Sequence, residues 1–421
     1  MSKLFTILML VIFSVSTLSA EPKTVEIALG AGSVNDVYYS LFDNAIVGEI
    51  PANDWDLAFE MEGSNAGIFV NEMKGVKLYE VPGMKQEQWS APIDTTGYYA
   101  VEPLHNSVQT WNIGAFNKYM DGFQTSGDFG WGFYNMGQAI LGTTVYVIVF
   151  QDGSAKRIMI ELLTAGEYTF TYADLDGSNE ITAYVEKQHY NDRNFSYYSF
   201  SDEEFTDREP PSSSWNLLFG RYMFPIDMGG SVMYYGVTGV RTNIGIKTAI
   251  VEGYPVENMI KPESEDEYSY MLSTIGHQWK TIQGDIVEEL AYYVMLQDGL
   301  IFKLFFTAYD GLAGGNIEFT IEDVTTSVDE FDNNSRASFA VYPNVINRGD
   351  NCTIIYNTSN LDSKISFAMY DITGNLIETY SGENSDNLSQ KSISTSGLAA
   401  GTYVVVMNVG ENVSSQKIIV K

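Results

Sequence analysis

Apolar and aromatic positions fall in short alternating runs along most of the chain, broken by Gly, Asn, Asp and Pro, and this pattern predicts β-strands almost throughout. The clearest stretch is residues 145–163, VYVIVFQDGSAKRIMIELL. An apolar run ends at Gln151, Asp152-Gly153 follows, and the return strand puts Lys156, Ile158, Ile160 and Leu162 on one face. Asp-Gly between two such runs predicts a hairpin closed by a two-residue type I′ turn. The same sentence is written again at 292–306, around Asp298-Gly299. Further upstream, Trp55-Asp56-Leu57-Ala58-Phe59 is answered by Trp215-Asn216-Leu217-Leu218-Phe219, each after a segment with proline at Pro51 or at Pro210 and Pro211. The two echoes differ in spacing, which loops absorb at little entropic cost. The chain therefore reads as two copies of one all-β unit, over 21–186 and 187–326.

Within the first copy the pattern predicts strands at 24–29, 37–41, 68–79, 97–101 and 167–172. The second has 196–200, a strand pair over 232–251 around Gly236 to Gly239, and 316–321, with 263–267 as a solvated acidic loop. Antiparallel sheets built as a barrel or sandwich, with little helix, are the expected architecture. Residues 327–337, rich in Ser, Asp and Asn, read as a linker. Alternation becomes strict over 338–421, the third domain.

Composition narrows the function. The chain has 421 residues, 45% of them hydrophobic and 14% aromatic, which suits folded sheet domains. A net charge of −31 argues against a nucleic-acid surface. A single cysteine, Cys352, rules out an internal disulfide framework. Residues 1–20 read as a signal peptide, with Lys3 before an apolar stretch and Leu18-Ser19-Ala20 at the cleavage site. No later apolar run is long enough for a transmembrane segment. Three histidines, no G-x-S-x-G elbow and no P-loop leave common enzyme mechanisms without their groups, so a non-enzymatic protein is expected. Asp174, Asp176 and Glu180 alternate around Gly177, a spacing that suits either Ca²⁺ or a plain turn.

Two resemblances sharpen this picture. Residues 338–421 carry Tyr342-Pro343-Asn344, Asp371-Ile372-Thr373-Gly374-Asn375, the strand at 398–405 and a Lys417-Ile418-Ile419-Val420-Lys421 end. In that order they resemble the C-terminal sorting domain of the type IX (Por) secretion system of Bacteroidota. This implies an immunoglobulin-like sandwich, the type IX machinery as partner, and export across the outer membrane to the cell surface or the medium. The first copy resembles the HmuY family of haem-binding proteins through Tyr38-Tyr39-Ser40-Leu41, the Trp55 strand, Trp131, the Asp152 hairpin and Tyr168-Thr169-Phe170-Thr171-Tyr172.

That second resemblance implies haem as cofactor, held by one ligand on a middle loop and one about five residues after the tryptophan. Here these positions are His105 and Met136, with Met120 in reserve for the loop ligand. The second copy has Gly284 at the corresponding place, and His277 is off register. A methionine beside Tyr134 also suits core filling, and a loop histidine also suits solvent. The expectation is a surface or secreted binding protein capturing haem, with an outer-membrane receptor as a further partner. The alternative is a structural or adhesive surface protein with the same fold and no haem.

Overall fold

The computed structural model describes residues 22–118, 127–135, 137–325, 337–358, 364–372, 374–382, 389–409 and 412–421. The expected leader at 1–20 and nearly all of the expected linker lie outside the described residues. Two compact units divide the chain between Thr325 and Thr326. The expected all-β class holds, since the described residues include one four-residue α-helical turn, Gly311–Gly314, among many strands.

In chain order the strands of the larger unit are β1 (Lys23–Ala28), β2 (Asn35–Ser40), β3 (Ala45–Pro51), β4 (Leu57–Glu60), β5 (Ile68–Val70), β6 (Lys77–Glu80), β7 (Gly132–Asn135), β8 (Ala139–Gly142), β9 (Tyr146–Val149), β10 (Ala155–Thr164), β11 (Glu167–Asp174), β12 (Ile181–Glu186), β13 (Phe195–Ser199), β14 (Glu204–Thr206), β15 (Leu217–Asp227), β16 (Val232–Thr242), β17 (Lys247–Glu252), β18 (Leu290–Met295), β19 (Ile301–Tyr309) and β20 (Asn316–Asp323). Two long sheets share one order, β6-β9-β10-β11-β12 and β17-β18-β19-β20-β1, with β7 and β8 added to the first beside β10. Two short sheets also match, β5-β4-β13-β14 and β16-β15-β2-β3. Both long hairpins even carry a bulge at the same place, between Ile160 and Leu162 in one and between Phe306 and Ala308 in the other.

The duplication is therefore present, but the copies exchange strands. β1, β2 and β3 complete the sheets of the second copy, and β13 and β14 complete a sheet of the first. The expected division at 186/187 does not separate two folded bodies. One lobe is instead the continuous segment 52–209, and the other joins 22–51 to 212–325. The core of the first lobe shows this directly: Leu57, Phe59, Trp131, Ile160, Phe170, Tyr198 and Phe200 lie in one buried cluster. In the other lobe Tyr39 packs edge-on against Phe319 at 5.6 Å and Phe219 at 6.4 Å.

Matched hydrogen bonds fix each exchanged strand. Asp56 donates its backbone N–H to Tyr198 O at 2.8 Å, and its Oδ2 accepts the Phe200 N–H at 2.8 Å. Asn216 does the same, donating to Tyr39 O at 2.8 Å and accepting the Leu41 N–H at 2.7 Å. Asn71 donates to Ala52 O and Trp55 O, as Asn243 does to Ser212 O and Trp215 O. The tryptophans are themselves clasped by exchanged tyrosines, Trp215 by Tyr38 at 5.0 Å and Trp55 by Tyr197 at 5.2 Å. Asp56→Ala leaves the buried Phe200 amide unpaired and is expected to cost about 1–3 kcal/mol in urea unfolding. Asp56→Asn keeps the acceptor, as Asn216 shows, and should cost less.

Several local expectations change. Only Gly153 and Gly299 take positive φ in the two Asp-Gly turns, at 84° and 85°. Gly153 N–H bonds Phe150 O and Phe150 N–H bonds Ser154 O, with the same pair at Gly299–Leu296 and Leu296–Leu300. These are three-residue loops with the glycine in the left-handed position, not type I′ turns. The aspartates instead accept the amide N–H two residues on, Ser154 and Leu300. The strand expected at 97–101 is a 3₁₀ turn at Tyr98–Ala100, and 68–79 splits around another at Glu72–Lys74. β16 runs straight through Gly236 to Gly239 and pairs with β15, while β17 lies beside β18 in another sheet, so 232–251 is not the expected strand pair. Glycine is required at 239 because a Cβ there would sit 2.4 Å from Gly276 O.

The C-terminal unit is a two-sheet sandwich of eight strands: β21 (Ala337–Tyr342), β22 (Val345–Ile346), β23 (Asn351–Thr358), β24 (Ile365–Asp371), β25 (Leu376–Ser381), β26 (Ser389–Ser394), β27 (Gly401–Val409) and β28 (Asn412–Val420). The sheets run β21-β23-β26 and β22-β28-β27-β24-β25. Phe339, Ile354 and Tyr356 from one meet Phe367, Val405 and Ile418 from the other in a closed core, where Cys352 is fully buried. Asp371 Oδ1 accepts the Asn375 N–H at 2.9 Å, which is the physical use of the D-x-x-G-N spacing.

Candidate ligand cavity at the lobe junction

β2 pairs with β15 only from Leu217 to Phe219, so beyond that point the same edge of β15 lacks a ladder partner. A cavity of about 70 Å³ lies at this open edge, room for a few water molecules or one small polar group. Its wall is aromatic and charged: Trp55, Trp111 and Tyr222, with Arg208, Arg221 and Arg241. Asp36 and Glu72 also reach it.

The acids and one arginine are already committed. Arg208, buried, meets Asp36 at 3.2 Å and Asp54 at 2.7 Å, and lies 4.9 Å from the Tyr197 ring centroid. Glu72 accepts from His105 Nδ1 and, at 2.8 Å, from Asn106 Nδ2. Arg221 and Arg241 have no carboxylate within ion-pair distance among the described residues. The Arg241 guanidinium instead lies over the Trp111 and Tyr222 rings, at 5.0 and 5.3 Å. Apart from Arg208 Nε, which faces Asp54, four buried polar atoms of residues on this wall lack a hydrogen-bond partner among the described residues: Trp55 Nε1, Arg221 Nε, Tyr222 OH and Arg241 Nε. Each can donate, and leaving such groups unmet in a closed interior is costly.

A larger, more open groove of about 890 Å³ runs past Lys187, Arg193 and Asn243. Three of its polar groups are engaged with protein partners. Lys187 donates to Gly63 O and Asn65 O, Arg193 pairs with Asp207, and Asn243 caps Trp215.

The residues singled out from sequence fall elsewhere. Met120 and Met136 lie outside the described residues. His105 Nδ1 is 2.5 Å from Glu72 and Nε2 is 2.9 Å from Glu102, with the ring stacked on Tyr234 at 3.4 Å. Burial pulls the imidazole down, but the Glu72 and Glu102 carboxylates override it and hold the ring above the usual histidine value. Both nitrogens are thereby engaged, so neither lone pair is free for iron in this arrangement. His277 packs on Phe224 at 4.5 Å, and burial together with Lys280 lowers it to about 4.

The calcium candidates are not brought together. Asp174 pairs with Lys156 at 2.9 Å, Asp176 accepts from Ser178, and Glu180 accepts the Trp89 indole N–H at 2.6 Å. Among the described residues no group of three or more His, Cys, Asp or Glu is placed to hold a metal ion. Sequence reasoning picked out Trp55 but missed Arg221 and Arg241. Their only local signal was to be two of the few basic residues in an acidic chain.

The comparisons bear on the two units differently. Residues 340–421 match the secretion system C-terminal sorting domain family. The protein is thus one exported across the outer membrane, to the cell surface or the medium, and its tail engages the type IX secretion machinery. No curated protein matches the chain. Among solved structures, a polysaccharide lyase is similar at 12% identity and TM-score 0.17, with 88% of this chain and 40% of that one covered. Dimeric latent PorU from Porphyromonas gingivalis is similar at 12% identity and TM-score 0.17, covering 67% and 31%. Activated Escherichia coli alpha-2-macroglobulin follows at 9% and 0.17, covering 94% and 33%. This chain therefore spans less than half the length of each. The HmuY resemblance of the two copies rests on their sequence pattern alone. No helix among the described residues is long and apolar enough to cross a membrane.

Proposed function

We propose that the protein is an exported, non-enzymatic binding protein in which 22–325 is the working part and the tail is its export signal. The reading is carried by one observation: a cavity formed jointly by both copies is walled by Trp55, Trp111 and Tyr222 and by arginines of which Arg221 and Arg241 have no ion-pair partner among the described residues. The strand exchange makes the wall rigid, because Trp55 and Arg208 are gripped by Tyr197, from a strand of the opposite copy. Rigid aromatic and arginine walls suit recognition with little ordering cost. Thermal-shift screening of the mature protein against small polar ligands tests this. A saturable rise in Tm that is lost in Trp55→Ala supports it, and no response across the panel overturns it.

Haem capture makes a separate prediction. With both His105 nitrogens held by carboxylates, adding haemin to the mature protein is expected to give no Soret shift that depends on His105. A shifted band abolished by His105→Ala would restore the haem reading. The adhesive alternative is favoured by the exposed apolar tip of the β15–β16 hairpin, where Ile226, Met228, Val232 and Met233 surround Gly229 and Gly230. Met228→Asp with Met233→Asp would abolish surface adhesion under that reading and leave ligand binding intact.

A further inference from the structure

We propose that the outer edge of β16 pairs with the same edge of a second molecule of this chain, antiparallel about a twofold axis near Tyr235. Where the short sheets of the two copies correspond, that edge is closed in both. Register gives the correspondence: Ile68 faces Phe59 and Val70 faces Leu57, as Val240 faces Phe219 and Thr242 faces Leu217. In the first copy Asn117 Oδ1 accepts the Ile68 N–H at 2.8 Å, and Asn106 accepts the Val70 N–H at 3.1 Å and donates to Val70 O at 2.8 Å. In the second, Val240 exchanges both backbone bonds with Gly276, and the Thr242 N–H reaches Leu272 O. The copies then part: β4 ends at Glu60, whereas β15 and β16 run on together to Asp227 and Val232.

That extension is not closed in the same way. Main-chain groups alternate between the two sides of a strand, so with Val240 turned outward, Gly236 and Val232 turn outward too. No strand lies beyond β16 in its sheet, and neither residue has a backbone partner on that side among the described residues. Thr238 O accepts from Lys280 Nζ at 2.6 Å, which marks where the closed part ends. Edge strands are ordinarily guarded by charge or proline, and β16 has neither from Val232 to Val240. One face of the ribbon serves its own chain, with Tyr234 stacked on His105 and Met73 over Gly236. The other exposes Tyr235 and Met233, with Ile226 directly opposite Met233.

Charge selects a second molecule of the same chain as the occupant. Each molecule carries −31, so two of them can meet closely only where like charges are sparse. Between Tyr222 and Val240 the one charged residue is Asp227. A twofold pairing centred on Tyr235 sets Met233 against the partner's Val237 and Tyr235 against its own counterpart, apolar on apolar throughout. The contact is small, so the dimer is expected to be weak.

The mature full chain is examined by sedimentation velocity over a hundredfold range of concentration, as wild type, Tyr235→Glu and Val232→Pro, with circular dichroism to verify folding. Wild type is expected to show a monomer–dimer equilibrium. Tyr235→Glu sets two carboxylates against each other at the axis, and Val232→Pro removes an outward N–H while sparing the bonds to β15. Each should raise the dimer dissociation constant at least tenfold. Cysteine pairing reads the register: Cys352 is buried, so Tyr235→Cys adds an accessible thiol. Directly opposed antiparallel positions lie within disulfide reach, so Tyr235→Cys should cross-link into a dimer under mild oxidation. Tyr254→Cys, exposed in the loop after β17, should not. A monomer at every concentration overturns the proposal, as does a dimer that both variants leave intact. Equal cross-linking of the two cysteines overturns it as well, and so does Met228-dependent surface adhesion by a chain that stays monomeric. Should one variant misfold, the other and the cysteine pair still decide the matter.

Discussion

Residues 52–209, produced alone, are expected to fold and to unfold cooperatively in urea, whereas 187–325, the copy as its sequence repeat delimits it, is not. The first fragment contains every strand from β4 to β14, both of its sheets, and a core running from Leu57 to Phe205. The second keeps β13 and β14, whose ladders belong to the other lobe, and lacks β1, β2 and β3. It leaves one edge of β20 and one of β15 unpaired, with the Phe319 and Phe219 rings uncovered where Tyr39 belongs. Exposed edges and bare aromatic surface of this kind favour aggregation over a cooperative fold.

Rescue should follow from geometry. β1 pairs antiparallel with β20, Lys23 opposite Ile321, so a short linker from 325 to 22 can join the ends. A permuted chain with 212–325 followed by 22–51 is expected to regain a cooperative transition and dispersed amide resonances. Folding of 21–186 as well as 52–209 would show that the exchange is not needed.

The second large effect is a pH dependence of stability centred on Glu209. This carboxyl is buried, and burial lifts it to about 7, although the Asn194 and Phe195 amides, the Tyr197 hydroxyl and Arg208 all pull it down. A raised acid holds its proton in the folded state over a range where the unfolded chain, near 4.5, has released it. Folding therefore takes up a proton between about pH 4.5 and 7, and stability falls as pH rises through that window. The loss relative to Glu209→Gln is expected to reach about 3 kcal/mol, the product of the shift and the energy of one pKa unit. Urea unfolding of both proteins at pH 4.5, 5.5, 6.5 and 7.5 measures it, and a flat difference would show that Glu209 does not titrate there.

Glu60, also fully buried and lifted to about 7 by burial, should show the same slope against Glu60→Gln. His277, lowered to about 4 by burial and Lys280, works in the opposite direction between 4 and its ordinary value. Comparing each variant with the parent at the same pH cancels that contribution.

Much of the fold was legible locally. Alternation gave the strands, the two Asp-Gly segments gave the hairpins, and Trp131 and Trp279 sit fully buried before them. Asn216 stands where the first copy has Asp56, and its amide oxygen does the same work as the carboxylate. The turn type was misread because Asp-Gly serves both a two-residue loop and a three-residue one, and only the register of the flanking strands separates them. His105 was legible as a polar loop residue but not as the partner of Glu72, 33 positions away.

The sequence by itself determined where most strands fall, the repeated hairpins, the export tail and the single cysteine, because each of these depends on residues close together or on simple counts; the face of β10 changes at its bulge, where Leu163 takes the core place expected of Leu162. Tertiary structure alone decided which copy each of the first three strands joins. Two near-equal edges accept either strand by pattern, and the choice falls to whole-chain closure: Tyr39 reaches the Phe319 core and Tyr198 the Phe170 core. The cavity is a product of that closure, since Trp55, Arg208, Arg221 and Arg241 meet there only after the chain has crossed between lobes.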